Sequence, residues 1–251
     1  MTTVTATDET TKTRKTSLFG WLMRGALMLV LVACAALFVA HITWKYSGSN
    51  KWELVIDRNG VKVYSLKTPG DVLKKFKMVR RVHTSMRQIV DVMSDTSLQH
   101  CTDWNPSCVA AQIIEPWQKD AKSVHSLNYY RLNLPSPFSP RDLVFREDIS
   151  QDPQSKVLTV HLVTVPDRFP DNNCCVHVTH IDNEWRWTPV GNGQVELVLT
   201  DELDPRLPYF MTNARAEQLY KLISHVPTLL SIQRKQYDYS KLFDFIQEPT
   251  N

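Results

Sequence analysis

An α+β domain preceded by one membrane-spanning helix follows from three features of these 251 residues. A long apolar stretch lies near the N-terminus, short alternating segments recur between residues 60 and 203, and an amphipathic stripe occupies residues 216–230. Together they predict a curved antiparallel sheet wrapped around a long C-terminal helix, with a hollow between the two. With 43% hydrophobic and 22% charged residues, the composition excludes disorder or collagen-like structure for the bulk of the chain. Glycine is scarce, at seven residues, and neither a Gly-x-Gly-x-x-Gly nor a P-loop pattern occurs, which argues against a standard dinucleotide or nucleotide site. A net charge of +3 leaves no strong electrostatic footprint for nucleic acid.

Residues 25–42 read GALMLVLVACAALFVAHI, uncharged when His41 is neutral. At about 1.5 Å per helical residue they cover roughly 27 Å, and residues 19–22 extend the run beyond the hydrocarbon thickness of a bilayer. Trp21 and Trp44 bracket it, Tyr46 sits just outside, and Arg24 is near enough to one end to reach the interface. We read one transmembrane helix over residues 19–44, in an anchor of residues 18–45. A second reading stays open. Leu31-Val32-Ala33-Cys34 resembles a lipoprotein cleavage box, so the anchor could be cleaved or lipidated at Cys34, although the apolar run continues past it. Lys12, Arg14, Lys15 and Arg24 precede the span, while Lys45 and Lys51 follow it. That asymmetry favours a cytoplasmic N-terminus and a periplasmic or otherwise extracytoplasmic C-terminal domain. Residues 1–17, rich in Thr and without apolar periodicity, are expected to be a disordered tail.

Residues 46–251 contain no internal repeat or low-complexity linker and are expected to form a single domain. A turn at Arg58-Asn59-Gly60 leads into a strand over 60–67, and a second strand is expected over 71–82. Ser85 is placed to cap a helix in which Met86, Ile89, Val90 and Met93 follow a three-to-four spacing. Further strands are expected at 109–115, 123–134, 142–150, 156–165, 176–188 and 194–203. In the last element Ala216, Leu219, Leu222, Ile223, Val226, Leu229 and Leu230 share one helical stripe. Pro227 has no N–H for the carbonyl of Ile223, so a kink or a division is expected there, with a lid hinge as its candidate role.

Catalytic and metal signatures are weak. His177 and His180 fall on opposite faces of a strand, and His100, Cys101 and Cys108 lack a recognised zinc spacing. Cys101 and Cys108 remain open between a disulfide and free thiols, while the adjacent Cys174 and Cys175 are expected to be two separate thiols. Neither Gly-x-Ser-x-Gly nor His-Glu-x-x-His occurs, so no catalytic residue, metal ligand or cofactor is assigned. Trp185 and Trp187 flank Arg186 on a strand and are read as packing residues rather than a cage.

Four segments carry a likeness to a known family. Pro137-Phe138-Ser139-Pro140-Arg141-Asp142-Leu143-Val144 resembles the SPRD signature of START domains, the lipid-transfer modules related to the steroidogenic acute regulatory protein. Asp57 to Tyr64 resembles the family's opening strand, Asp103-Trp104-Asn105-Pro106 its WNP segment, and Asp204-Pro205-Arg206-Leu207-Pro208 with Asn213 its approach to the final helix. The likeness covers residues 50–237. It implies a helix-grip fold whose internal cavity holds one lipid, a sterol, phospholipid or similar, closed by the C-terminal helix and a neighbouring loop. A lipid chain leaving a bilayer loses about 0.8 kcal/mol per methylene, and only an apolar tunnel can offset that. The implied function is a membrane-anchored lipid-binding or lipid-transfer protein without enzymatic activity. Its partners are the lipid ligand, the host bilayer and an acceptor membrane or membrane protein, and not nucleic acid. The alternatives are a cyclase- or hydrolase-like enzyme on the same fold, using Glu147 with Tyr130, and a lipid sensor acting through a protein partner.

Period two places Arg141, Leu143, Phe145 and Glu147 on one face of the strand after the signature, and Asp142, Val144, Arg146 and Asp148 on the other. The resemblance turns the first face toward the cavity. The candidate lipid-binding residues are therefore Asn128, Tyr130, Arg141, Leu143, Phe145 and Glu147, with Phe210, Asn213, Leu219, Leu222, Ile223 and Val226 from the C-terminal segment. A bulge shifting the register by one residue would instead turn Glu147 outward. Arg141-Asp142 reads equally as an ion pair that only holds a loop. The chain departs from the family pattern twice. Glu147 stands where several members carry a basic residue, so ligand identity does not carry over. Arg206 stands where a Gly is usual, which leaves that turn's geometry open.

Overall fold

The computed structural model describes residues 10–170, 174–232 and 241–249, with side chains from residue 19 onward. It divides into two compact units, Met1–Ser47 and Gly48–Asn251.

In the first unit a single helix, α1, runs from Thr10–Tyr46. Its segment Phe19–Tyr46, 28 residues, is long and apolar enough to cross a membrane. Residues 10–17 are helical, which corrects the expectation of a disordered tail up to residue 17. No Pro or Gly interrupts residues 10–19, and extending an existing helix fixes one residue per hydrogen bond, far easier than nucleating one. The remainder of that expected tail, residues 1–9, lies outside the described residues.

In the second unit the short alternating segments become β1 (Glu53–Arg58), β2 (Val61–Leu66), β3 (Lys75–His83), β4 (Cys108–Lys119), β5 (Ser123–Leu132), β6 (Arg141–Gln151), β7 (Leu158–Thr164), β8 (Val176–His177), β9 (Ile181–Gly191) and β10 (Gln194–Leu203). Among the described residues they build one sheet in the order β1-β2-β3-β10-β9-β7-β6-β5-β4, antiparallel throughout, with β8 pairing in parallel with β6. Two hairpins set its geometry locally. Asn59 and Gly60 take φ of 51° and 72°, and Asn192 and Gly193 take 53° and 66°. Such successive positive φ values match the right-handed twist of the flanking strands.

The strand expected over 71–82 starts only at Lys75, because Pro69 and Gly70 (φ 101°) open a wider connection. The one expected over 176–188 divides into β8 and β9, because Val176 and His177 pair with β6 before the chain turns to enter between β7 and β10. Register between β5 and β6 is uninterrupted from Ser123↔Ser150 to Leu132↔Arg141 and sets Glu147 opposite Ser126. No bulge flips the β6 faces along this pairing.

Helices close one side of the sheet. Ser85 caps α2 (Met86–Met93) by accepting from Gln88 N, and Ser97 caps α3 (Leu98–Trp104) by accepting from His100 N. A one-turn helix α4 (Tyr209–Thr212) precedes α5 (Ala216–Ser231), which packs on β1, β2, β3 and α2. Leu219, Tyr220, Ile223, Val226 and Leu230 join Val63, Met78, Trp187 and Leu197 in the main core.

Pro227 lies inside α5 and does not divide it, contrary to one of the two outcomes expected. The physical reason is a surrogate donor: Arg80 Nη1 donates to the carbonyl of Ile223 at 2.8 Å, the group that Pro227 leaves without its helical partner. Gln88 Nε2 likewise reaches the carbonyl of Leu230 at 2.6 Å near the end of the helix.

Residues 241–249 form a strap that the sequence did not reveal. Phe243 and Ile246 are buried in the main core. Gln247 N donates to Gln151 Oε1 at 2.7 Å, and Gln151 Nε2 donates to Gln247 O at 2.9 Å. The Glu248 carboxylate accepts from Met86 N and Arg87 N at 2.9 and 3.0 Å, satisfying two otherwise unpaired donors at the start of α2.

Candidate ligand-binding cavity

A hollow of about 240 Å³ is lined by the inner face of the sheet on one side and by α3 and α5 on others. Tyr130 of β5 and Leu143, Phe145 and Glu147 of β6 supply one wall, with Leu162, Trp185 and Leu203 beside them. Leu219 and Leu222 of α5 face that wall, and Met93, His100, Cys101 and Trp104 come from the helical segment 86–104. Aromatic rings stiffen the lining. Trp104 meets Trp185 edge-on at 5.2 Å, and Tyr130 meets Phe145 edge-on at 5.0 Å. Trp104 Nε1 donates to His100 Nδ1 at 3.2 Å, so its indole N–H is satisfied.

Glu147 is one of several polar groups at this lining, with His100, Asn105, Asn183, Asp201 and Arg215. The Glu147 side chain is buried, with the residue only 4% exposed. The partner it finds is Asn128, whose Nδ2 donates to Glu147 Oε2 at 3.3 Å and to Ser126 Oγ at 2.9 Å. Asn128 Oδ1 is buried without a hydrogen bond among the described residues. Burial disfavours the charged carboxylate, and the negative Asp148 nearby adds to this, so the Glu147 pKa is pushed up to about 8. At neutral pH the group is mainly a carboxylic acid, with an O–H to donate and oxygens to accept. Arg215 and Asp201 form an ion pair at the lining, Nη1 to Oδ2 at 3.1 Å.

The candidate residues separate into groups. Tyr130, Leu143, Phe145, Glu147, Leu219 and Leu222 line the hollow. Asn128 is fully buried behind it and reaches it through Glu147. Ile223 and Val226 are fully buried in the main core. Asn213 Oδ1 accepts from Lys74 N at 3.2 Å, joining the end of α4 to the connection before β3. Phe210 is 67% exposed on α4 and stands apart from the lining.

Arg141 also stands apart from the lining. Its guanidinium donates to the carbonyls of Ser139, Pro205 and Arg206 at 2.5, 2.7 and 3.0 Å. Asp142 faces the other way and accepts from Tyr129 Oη at 3.0 Å and from Arg131 Nε at 3.4 Å. The two residues are therefore not an ion pair with each other; each holds a different piece of backbone or sheet. Arg206 adopts φ of 54°, the left-handed conformation that a Gly takes freely. Arg141 holds its carbonyl, and Asp204 Oδ1 accepts from its N–H at 2.8 Å.

Trp185 lines the hollow, whereas Trp187 is fully buried in the core. Cys101 and Cys108 are bonded, with Cα atoms 5.9 Å apart, tying α3 to β4. Cys174 and Cys175 are bonded as well, which corrects the expectation of two separate thiols: both sulfurs converge beside Asp142.

Sequence reading missed His100, Trp104, Arg215 and Asp201. Strand alternation offered one signal, since Val195, Leu197, Leu199 and Asp201 share a face and so carry a carboxylate toward the core. The others come from a helix and a loop whose inward direction depends on packing.

Comparison with known proteins agrees with this architecture. An uncharacterised protein of Pseudomonas aeruginosa is 24% identical over 194 residues, covering 76% of this chain and 90% of the relative. The solved STAR-related lipid transfer protein of Xanthomonas axonopodis (fragment 25–204) superposes with a TM-score of 0.62 at 21% identity, covering 72% of this chain and 99% of that one. Human StAR-related lipid transfer protein 5 superposes with a TM-score of 0.51 at 15% identity, covering 89% of this chain and 97% of that one. These structures share the helix-grip fold, a curved antiparallel sheet and a C-terminal helix. With residues 34–225 matched by the START domain model, the chain belongs to the START domain family.

Proposed function

We propose that this protein holds one hydrophobic ligand in the hollow beneath α5 and carries it without altering it chemically. The observation that carries this reading is a greasy interior holding one neutral buried acid, Glu147, inside a START fold. Apolar walls supply the affinity, while Glu147 and the unpaired Asn128 Oδ1 offer the few polar groups that orient a ligand. A lipid with a neutral hydroxyl or similar polar end suits them better than a charged head group. The hollow, at about 240 Å³, is smaller than the roughly 300–1,000 Å³ of pockets for drug-sized ligands. Loading therefore requires the interior to swell, and α5 with its neighbouring loop is the element we assign to that movement.

The same reading makes α1 a retained anchor with a cytoplasmic N-terminus. Two disulfides favour a domain in an oxidising compartment. A short tether then restricts extraction to the host membrane, and an acceptor membrane or membrane protein has to come close to receive the lipid. A second reading is favoured by one observation. A carboxyl poised near pH 8 in a cavity is suited to general acid chemistry, so an enzyme acting through Glu147 is the rival.

Native mass spectrometry of the full chain, exposed to a total lipid extract in detergent, separates these readings. Wild type should retain an intact lipid that Leu222→Trp, which fills the hollow, releases; lipids on the apolar helix are common to both. Equal adducts on the two proteins would sink the carrier reading, and chemically altered products would establish the enzyme. Glu147→Ala should keep the fold and change which lipid is retained. Unchanged selection would remove Glu147 from ligand recognition.

A further inference from the structure

One cross-strand row of the inner sheet face runs along the hollow. Strand pairing sets Glu147 of β6 opposite Leu162 of β7, Leu162 opposite Asn183 of β9, and Asn183 opposite Asp201 of β10. Residues paired in this way share one face of a sheet, and all four line the hollow. The apolar Leu162 therefore separates two polar poles. Neighbouring strands lie about 4.8 Å apart, so Glu147 and Asp201, three strands apart, stand about 14 Å from each other along the sheet.

The first pole is Glu147, which carries an O–H to donate and oxygens to accept. At the second pole Arg215 meets both carboxylate oxygens of Asp201, Nη1 to Oδ2 at 3.1 Å and Nη2 to Oδ1 at 3.4 Å. Those contacts use two of the five guanidinium N–H groups and leave the others to give. Asn183 Oδ1 accepts from Glu202 N at 3.0 Å, so the amide Nδ2 is the end of that side chain left to donate. The second pole thus offers N–H donors, while Asp201 cancels the charge of Arg215.

We infer that the ligand is a neutral, elongated apolar molecule with an oxygen at each end, a hydroxyl against Glu147 and a hydroxyl or carbonyl against Arg215 and Asn183. This rests on the carrier reading and adds a second point of recognition to it. A ligand with one polar end presses hydrocarbon against the donors of the other pole, and a donor that loses water without gaining an acceptor is penalised. A carboxylate or phosphate at the second pole brings an unbalanced charge into a desolvated site, because Asp201 already neutralises Arg215. An ammonium group there meets the Arg215 cation.

The test titrates the full chain in detergent, by calorimetry, with straight-chain diols hydroxylated at both ends, from eight to fourteen carbons, and with the mono-alcohol of each length. In wild type the ratio of diol to mono-alcohol affinity should peak at one chain length, the one that reaches both poles. Asp201→Leu combined with Arg215→Met, which strands no charge, should lower that peak ratio by about tenfold, and so should Glu147→Leu. Asn183→Leu, which leaves the ion pair in place, should lower it by about threefold. The mono-alcohol should lose less than the diol in each variant, because its single hydroxyl can turn to the pole that remains. A ratio that does not vary with chain length, or one that these variants leave unchanged, would overturn the two-ended ligand while lipid carriage stands. Binding of every probe to Leu222→Trp as tightly as to wild type would overturn both.

Discussion

Asp142 and Glu147 sit on one strand, five positions apart and on opposite faces, and both are buried carboxyls. Their surroundings differ in kind. Asp142 is met by the hydroxyl of Tyr129 and the guanidinium of Arg131, so its charge is balanced where it stands. Among the described residues Glu147 receives one long hydrogen bond from an amide and no cation, and burial pushes its pKa up to about 8. A buried polar group that is fully partnered belongs to the frame, whereas one left short of partners beside a hollow is available to a ligand. The same contrast appears in the signature itself, where Arg141 is fully engaged with three carbonyls although sequence likeness placed it among the binding residues.

The largest effect should come from removing the balanced charge. Asp142→Ala leaves the Tyr129 hydroxyl without its acceptor and Arg131 without its carboxylate, and should destabilise the full chain by up to about 3 kcal/mol in chemical denaturation. If it costs no more than Glu147→Ala, the distinction between the two carboxyls fails. Next comes the pH response of Glu147. Its folded pKa of about 8 lies above the ordinary 4.5, so between these values the folded state keeps a proton that the unfolded chain has released. Its contribution to stability therefore falls as pH rises from about 4.5 to about 8, by a few kcal/mol. Glu147→Gln should flatten that slope and make the protein more stable than wild type at pH 8; an unchanged thermal midpoint profile would mean the carboxyl is ionised and solvated after all.

A smaller effect concerns Arg80, which substitutes for the missing Pro227 donor. Arg80→Ala leaves the Ile223 carbonyl without that partner and should destabilise by about 1–3 kcal/mol. Adding Pro227→Ala, which restores a backbone N–H, should recover much of the loss; additive losses in the double variant would refute the surrogate role. The smallest change is at the strained turn. Arg206→Gly removes the left-handed penalty of a side chain at φ 54° and should alter stability by no more than about 1 kcal/mol, toward greater stability. A large loss would mean that the Arg206 side chain, rather than its carbonyl, matters to the loop held by Arg141.

Much of this frame was legible because it depends on neighbours in the chain. The Ser85 cap, the Asn59-Gly60 turn and the stripe from Leu219 to Leu230 each rest on contacts within a few residues. Alternation grouped Glu147 with Leu143 and Phe145 and the resemblance turned that face inward; the unbroken β5–β6 register keeps the grouping. The partners that decide each group's role were not legible. Arg80 and Ile223 are 143 positions apart, Glu248 and Met86 are 162 apart, and Arg141 and Pro205 are 64 apart. Nothing in a local pattern pairs them.

Period two and period 3.6 are properties of the backbone, so the order of residues alone settled which side chains share a face, where the apolar helix runs and that a hollow could form under an amphipathic helix. Whether a buried charge is balanced or left wanting depends on which distant donors the packed elements bring within about 3 Å, and desolvation exists only once water is gone. That is why the tertiary structure, and not the spelling of the strand, made Asp142 part of the scaffold and left Glu147 short of partners beside the hollow.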